Sequence, residues 1–297
     1  MTPELTARLR GIELAVLGRV EGLLQGDHRG LLPGPGGEPG DARPYVPGDD
    51  VRRIDWNVTA RARRPHVRDT TADHELETTL VVDVSGSMGF GSTADDKAQV
   101  AVAAAAVFGF LTDRAGDRVG ALILGATPKA IPARPGRNHV YAILSAIEAA
   151  VPAGGRADLG QGLHRVARQR TRRGLVVVIS DFLEEGDWMG SMRALAVRHD
   201  VVAVEVTDPR ESVLPNVGMV RMVDPETGRR AWIDTGDRAV RRGFAADAAR
   251  RQTELIRELR SAGVSHIRLS TGRDWVADVV SAVLGRRRTM SATGRAG

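Results

Sequence analysis

Residues 79–88, TLVVDVSGSM, constrain the fold of this chain more than any other stretch of the sequence. The first half is a run of β-branched and apolar residues, which is typical of a strand buried on both faces of a parallel sheet. We expect this strand to end at Asp83. Ligands of open α/β sheets bind where the strands end, so Asp83, Ser85 and Ser87 should face such a site. Their hard oxygen donors suit Mg²⁺ or Mn²⁺.

A regular alternation of strand and helix patterns follows this stretch. Strands are predicted over 118–124, 128–133, 175–180, 201–206 and 265–269, the second of them at an edge because prolines flank it. Helices are predicted over 95–112, 138–149, 158–172, 187–198, 237–262 and 273–284. Repeated βα units require a doubly wound, mostly parallel α/β sheet with right-handed crossovers.

The chain is expected to have three parts, an N-terminal part (1–75), an α/β domain (76–285) and a disordered basic tail (286–297). The N-terminal part holds an amphipathic helix over 3–24, a Gly/Pro-rich connector over 30–40 and a short strand within 63–69. The α/β domain carries a β-hairpin insertion near 210–236. Pairing of this hairpin with the N-terminal part is left open.

Residues 43–68, here called the hallmark segment, combine a tight turn with dense opposite charge. One interpretation is a structural latch that pairs acidic with basic side chains. The pairs would join Asp49, Asp50 and Asp55 to Arg43, Arg52, Arg53 and Arg61. Val51, Ile54 and Trp56 would then anchor the segment on the core, next to the turn that Tyr45 opens. The alternative is a partner-binding or catalytic role for these residues.

Composition narrows the classes of function. Cysteine is absent, which excludes disulfides and thiolate metal sites and is typical of a reducing compartment. The pI of 10.4 overstates the positive field, because the net charge is only +5 and all basic residues except Lys97 and Lys129 are arginines. Aromatic residues make up 4% of the chain and do not alternate with basic ones, so nucleic-acid binding is not expected. The sequence shows no membrane-spanning run and no signal peptide, and we expect a cytoplasmic protein.

Two segments resemble known families. DVSGSM, residues 83–88, is similar to the first signature of von Willebrand factor A domains, whose metal-ion-dependent adhesion site reads Asp-x-Ser-x-Ser with a later Thr and a later Asp. The hallmark segment resembles that of the bacterial domain-of-unknown-function-58 family, and the resemblance covers roughly residues 26–284. Such proteins carry a von Willebrand factor A-like domain and are commonly encoded beside MoxR-type AAA ATPases. The resemblance implies a non-enzymatic adaptor or co-chaperone for such an ATPase.

The resemblance also implies a set of metal ligands. A second apolar strand ends in Ser180-Asp181, so Asp181 would join Asp83, Ser85 and Ser87 around Mg²⁺ or Mn²⁺. Residues 154–160 resemble the middle loop of the adhesion site, but Ala157 stands where the family has its Thr. Either water or Asp158 would have to replace that donor. The other interpretation is that these residues are ordinary turn and cap residues that bind no cation.

Enzymatic functions find little support in the motifs. A haloacid-dehalogenase-type phosphatase needs an acid two residues after its nucleophilic Asp, and Ser85 occupies that place. No Gly-x-Ser-x-Gly elbow, HExxH motif or Walker A motif occurs in the sequence. A metal-dependent hydrolase that acts on phosphoesters is the alternative to an interaction module.

Overall fold

A six-stranded sheet forms the centre of the protein in the computed structural model. The structure describes residues 9–11, 13–14, 42–46, 54–68, 77–153, 155–169, 173–184, 186–225, 227–275 and 277–279. The strands are β1 (Ala42–Pro44), β2 (His66–Arg68), β3 (Glu77–Asp83), β4 (Arg118–Leu124), β5 (Lys129–Arg134), β6 (Leu175–Ser180), β7 (Asp200–Thr207), β8 (Met219–Val223), β9 (Arg230–Asp234) and β10 (Ser265–Ser270). The central sheet has the order β10-β7-β6-β3-β4-β5. All its pairs are parallel except that of the edge strand β5, so the predicted doubly wound, mostly parallel α/β sheet is confirmed.

The helices follow the predicted alternation within about two residues at each end that the structure describes. They are α1 (Trp56–Ala62), α2 (Lys97–Arg114), α3 (Arg137–Ala150), α4 (Leu159–Gln169), α5 (Trp188–Arg198) and α6 (Arg238–Ser261). Residues 9–11, 13–14, 275 and 277–279 are also helical, in agreement with the helices predicted over 3–24 and 273–284. The remainder of those two helices, the connector over 30–40 and the tail over 286–297 lie outside the described residues.

Two apolar cores cover the two faces of the central sheet. Helices α2 and α3 pack on one face, and α4, α5 and the last turns of α6 pack on the other. Helix α2 is buried along nearly its whole length, because its alanines let it approach the sheet closely. Asp96 begins this helix with a capping box, in which its carboxylate and the Gln99 side chain satisfy each other's backbone N–H groups. The first residue of α2, Lys97, is therefore held in a fixed position beside the sheet.

Two short antiparallel sheets lie outside the central one. Strand β1 pairs with β2, and β8 pairs with β9 to form the predicted hairpin. Within the described ranges the hairpin forms its own two-stranded sheet and shares no strand pairing with the described residues of the N-terminal part, so its pairing with that part stays a prediction. None of the described helices has the length and hydropathy that a membrane span requires.

Trp56 does not anchor the hallmark segment on the core, which corrects the expectation from its sequence. It is the first residue of α1, and its side chain is 72% exposed. The segment is held instead by Val67, which is buried, and by backbone hydrogen bonds from Tyr45 to Pro65 and from Asp55 to His66. Apolar character alone could not reveal which way the ring of such a short helix points. A surface role for Trp56 remains compatible with its position.

Trp56→Ala is expected to change the free energy of unfolding by less than about 1 kcal/mol, because most of the ring already contacts water. The matched control is Leu80→Ala, at a fully buried position of β3, with an expected loss of about 2 to 5 kcal/mol. Denaturant unfolding followed by circular dichroism measures both values. A loss for Trp56→Ala as large as that for Leu80→Ala would contradict the exposed position.

Candidate metal centre

Asp83 and Asp181 lie side by side at the carboxyl ends of two neighbouring strands. Asp83 ends β3 and Asp181 follows β6, and these strands are adjacent and parallel. The hydroxyl of Ser180 bridges the strand ends by donating a hydrogen bond of 2.7 Å to Oδ2 of Asp83. Both carboxylates are almost completely buried. The predicted convergence of these two strand ends is confirmed.

Asp83 is a buried carboxylate surrounded by neutral donors. Its Oδ1 accepts a hydrogen bond of 2.8 Å from the backbone N–H of Ser85, and its Oδ2 accepts the one from Ser180. Burial, followed by the negative charge of Asp181, raises the pKa of Asp83 against the lowering effect of these hydrogen bonds. Across the described part of the chain, no cationic side chain contacts Asp83. Its negative charge is therefore left for a proton or a bound cation to compensate.

The hydroxyls of Ser85 and Ser87 converge next to Asp83. A 3₁₀ turn at Gly86–Gly89 follows Ser85 and places the two Oγ atoms 3.1 Å apart. Two neighbouring ligands of an octahedral ion lie about 3 Å apart when each bond is about 2.1 Å long. The hydroxyl spacing therefore fits two adjacent positions around Mg²⁺.

Lys97 supplies a positive charge to Asp181. Its side chain is completely buried, and its Nζ donates a hydrogen bond of 2.7 Å to Oδ2 of Asp181 and another to Oε1 of Glu211. Burial alone would lower the pKa of Lys97, but Asp181 and Glu211 outweigh it and raise the pKa above its usual value. The ammonium is therefore charged at neutral pH. The other carboxylate oxygen of Asp181, Oδ1, accepts a hydrogen bond of 3.1 Å from the backbone N–H of Leu183.

Lys97 is the main site residue that sequence reasoning missed. Two signals were present, since Lys97 is one of two lysines among 42 basic residues and it opens an otherwise apolar helix. If Asp83, Asp181 and Glu211 were all ionised, this single ammonium would leave a formal charge of −2, but burial raises the pKa of both Asp83 and Glu211 and so favours their protonation in the absence of a cation. A divalent cation would neutralise that charge.

A third buried carboxylate, Asp208, extends the row of polar side chains at the carboxyl ends of the strands. Asp208 follows β7 and accepts hydrogen bonds from the backbone and hydroxyl of Ser92, from the backbone of Arg210 and from the hydroxyl of Thr271. Burial would raise the pKa of Asp208, but these hydrogen bonds together lower it. Its own backbone N–H donates to Glu211, which connects it to Lys97. Polar contacts thus run from β3 to β10 along one edge of the sheet.

The middle loop contacts the serine loop through its backbone, since the Gly155 carbonyl accepts a hydrogen bond of 2.8 Å from the N–H of Gly86, but neither Ala157 nor Asp158 adds a side-chain ligand. Ala157 is buried in the core beneath α4 and α5. Asp158 is exposed, and its Oδ1 accepts a hydrogen bond of 2.7 Å from the backbone of Gln161, which caps α4. Within the ranges described, no hydrogen bond or ion pair joins Asp158 to Asp83 or Asp181. The described residues also contain no group of three or more His, Asp or Glu side chains that could hold a metal ion. The candidate ligands that remain are the carboxylates of Asp83 and Asp181 and the hydroxyls of Ser85 and Ser87.

The residues of the hallmark segment lie in and around the sheet of β1 and β2. Arg43 is in β1 opposite Val67, and Tyr45 is half-buried just beyond β1. Oδ1 of Asp55 accepts a hydrogen bond from the backbone of Val58 and so caps α1, whose last turn holds the exposed Arg61. Val51, Asp49, Asp50, Arg52 and Arg53 lie outside the described residues. The latch and partner interpretations of the segment both stay predictions.

Lys97→Met is expected to lower the free energy of unfolding by about 3 to 5 kcal/mol, because it leaves the carboxylates of Asp181 and Glu211 without their cation. Lys129→Met is the matched control, since Lys129 is the other lysine and is exposed, and it should change stability by less than about 0.5 kcal/mol. The double variant Lys97→Met with Glu211→Gln should recover part of the loss. Equal midpoints of denaturant unfolding for the two lysine variants would contradict the buried ion pairs.

Comparison with known proteins places the chain in a family. Residues 41–254 match the family described as protein of unknown function DUF58. The uncharacterized protein Rv1480 of Mycobacterium tuberculosis is 49% identical over 96% of this chain and 91% of its own length. Among solved structures, the conserved hypothetical protein BatB of Bacteroides thetaiotaomicron is 16% identical, with a TM-score of 0.46, and the alignment covers 73% of this chain and 99% of the BatB chain. The SpRpn10 VWA domain is 14% identical, with a TM-score of 0.38, and the alignment covers 69% of this chain and 93% of that domain. The family match and the relative show that this chain belongs to the DUF58 family.

Proposed function

We propose that this protein is a metal-dependent protein-interaction module that acts as an adaptor or co-chaperone for a MoxR-type AAA ATPase. The observation that carries the proposal is the buried, uncompensated carboxylate of Asp83 beside two hydroxyls spaced for a cation. Three carboxylates share the single positive charge of Lys97 in this region, and this excess of acidic groups supports a bound cation. Mg²⁺ or Mn²⁺ fits the oxygen donors of this set.

Four side chains would hold the ion. Ser85 and Ser87 offer hydroxyl oxygens, and Asp83 and Asp181 offer charge. When bound, Mg²⁺ would retain waters and offer a coordination position to a carboxylate of the partner protein. Such a set is small, so the remaining donors must come from water and from the partner.

Lys97 makes the centre a weak binder of metal on its own. Its ammonium neutralises part of the charge of Asp181, which reduces the attraction for a second cation. Ala157 lacks the hydroxyl that the related adhesion sites place in the middle loop. A partner carboxylate would restore both charge and a donor, so binding of metal and partner would strengthen each other by the same factor.

The ATPase partner is proposed from the family resemblance and from what the sequence lacks. No Gly-Lys-Ser/Thr sequence of a Walker A motif is present, so ATP hydrolysis would come from another protein. The competing proposal is a metal-dependent phosphoesterase. Its haloacid-dehalogenase-type form is disfavoured, because Ser85 occupies the position two residues after Asp83 where that type needs an acid, and the Ser85 hydroxyl contacts Ser87.

Asp83→Asn is expected to weaken Mg²⁺ binding at least about tenfold, because it removes the charge that the ion would compensate. Ala157→Thr should strengthen binding by adding a hydroxyl donor. The matched control is Asp187→Asn, which alters an exposed carboxylate that caps α5 and should leave binding unchanged. Calorimetric titration with Mg²⁺ and with Mn²⁺ measures all three, after circular dichroism has shown that each variant is folded.

The same variants test the partner and the alternative function. A MoxR-type ATPase from the same organism should be retained by the immobilised wild type with Mg²⁺ and lost with chelator or with Asp83→Asn. Retention that ignores both changes would overturn the metal-dependent mechanism. Turnover of p-nitrophenyl phosphate that requires Mg²⁺ and Asp83 would favour the phosphoesterase.

A further inference from the structure

The tip of the β8–β9 hairpin lies directly on the loop that carries the two serine hydroxyls. A Cβ atom built on Gly86, between Ser85 and Ser87, would lie 2.7 Å from the carbonyl oxygen of Pro225 and 3.1 Å from its carbonyl carbon. Both distances are shorter than ordinary van der Waals contact. The backbones of Gly86 and Pro225 therefore touch, and the approach requires that residue 86 has no side chain.

Three of the four proposed ligands are covered in this arrangement. Asp83, Ser85 and Asp181 are each only 3–4% exposed and Ser87 is partly exposed, although the proposed function requires a partner's carboxylate to reach the ion. Something must move before that carboxylate can enter. Two elements touch the peptide between the two hydroxyl donors: the middle loop, whose Gly155 carbonyl accepts a hydrogen bond of 2.8 Å from the Gly86 N–H, and the hairpin tip, which makes no hydrogen bond to Gly86 among the described contacts.

We propose that the β8–β9 hairpin is a displaceable cover of the candidate metal centre, and that the partner must lift its tip from Gly86 before it can bind. The inference rests on the proposed function of that centre. It adds a regulatory step, because the closed state competes with the partner and with the waters of the ion for the same space.

The hairpin is built to be displaced at low free-energy cost. None of the residues of β8 and β9 belongs to either apolar core. Met219, Val223 and Trp232 are at least half exposed, and all three lie on the same face of the hairpin. Elements with so few buried contacts open locally at a small fraction of the free energy of global unfolding.

Hydrogen bonds fix the base of the hairpin, so a displacement would move the tip relative to this base. Thr235 is buried, and both its backbone N–H and its hydroxyl donate to the carbonyl of Gly218, at 2.8 and 2.7 Å. Gly218 has a φ of 78°, a conformation that favours glycine, and Gly236 follows Thr235 just beyond β9. The carbonyl oxygens of Thr235 and Gly236 accept hydrogen bonds from the Arg241 guanidinium, so the base stays in place when the tip moves.

The tip is a compact turn that can move as one body. The Asp224 carboxylate accepts hydrogen bonds from the backbone and from the hydroxyl of Thr227. Backbone hydrogen bonds also join Asp224 to Gly228 and to Arg229. These bonds lie within the tip, so they stay intact when the tip leaves Gly86.

The test compares two glycines of the same 3₁₀ turn. Gly86→Ala places a methyl group against Pro225 and should push the tip away, whereas Gly89→Ala has no atom within 4 Å of the new methyl group. Hydrogen exchange followed by mass spectrometry should show faster exchange of the hairpin in Gly86→Ala only. Mg²⁺ affinity, measured by calorimetry, should rise several-fold in the same variant, because the competent open state becomes more populated.

A disulfide engineered between residues 86 and 225 gives an independent second variant. The chain has no cysteine, and the Cβ position of residue 86 lies 3.5 Å from Cβ of Pro225, within the range of a disulfide. A side chain at residue 86 shifts the tip slightly, but in the double variant Gly86→Cys with Pro225→Cys oxidation should still keep the tip within disulfide reach of residue 86 and lower the Mg²⁺ affinity relative to the reduced form. Reduction should restore the affinity.

The outcomes separate the cover from the function on which it rests. Mg²⁺ binding of equal affinity in the wild type, both glycine variants and both redox states overturns the cover alone. Faster hairpin exchange in Gly86→Ala without a change of Mg²⁺ affinity also overturns it. Absence of Mg²⁺ binding in every variant and redox state overturns the proposed metal function and the cover together.

Discussion

Two buried carboxylates, Asp83 and Asp181, lie close together at the carboxyl ends of neighbouring strands, and the surrounding side chains must compensate their charge. Two like charges in a low-dielectric environment raise each other's free energy, and burial adds the loss of hydration. The structure compensates Asp181 with the ammonium of Lys97. Asp83 receives only neutral hydrogen bonds, from Ser85 and Ser180. Asp181 therefore has a cationic partner and Asp83 has none among the described contacts, so a bound cation would be stabilised most strongly next to Asp83.

Lys97 affects both the charge of the candidate metal centre and the stability of the fold. It begins the most deeply buried helix, and through Glu211 it connects the metal loop to the polar contacts of Asp208. A residue in that position both stabilises the apo protein and limits how strongly a metal can bind. Weak intrinsic binding suits an adaptor, because the partner then determines whether the ternary complex forms. The β8–β9 hairpin would add a second requirement, because its tip would have to leave Gly86 before the partner could bind.

Local sequence patterns predicted the elements that carry the centre, since the apolar runs of β3 and β6 and the capped, alanine-rich α2 are encoded by consecutive residues. They also predicted that Asp83 and Asp181 converge, because parallel strands end at one edge. The contact between Lys97 and Asp181 joins residues 84 positions apart, so no local pattern specifies it. The contact of Gly86 with Pro225 is equally remote. Trp56 was misplaced because apolar character does not determine which side of a short helix is covered.

The central claim is that a divalent ion binds between Asp83 and the hydroxyls of Ser85 and Ser87 while Lys97 keeps its bonds to Asp181 and Glu211. Anomalous diffraction from crystals grown with Mn²⁺ tests it directly, because the ion itself is located. We expect one strong peak about 2.1 Å from both serine hydroxyl oxygens. Crystals that show no peak at this position at saturating Mn²⁺, or a peak that has displaced Lys97 from Asp181, would contradict the account.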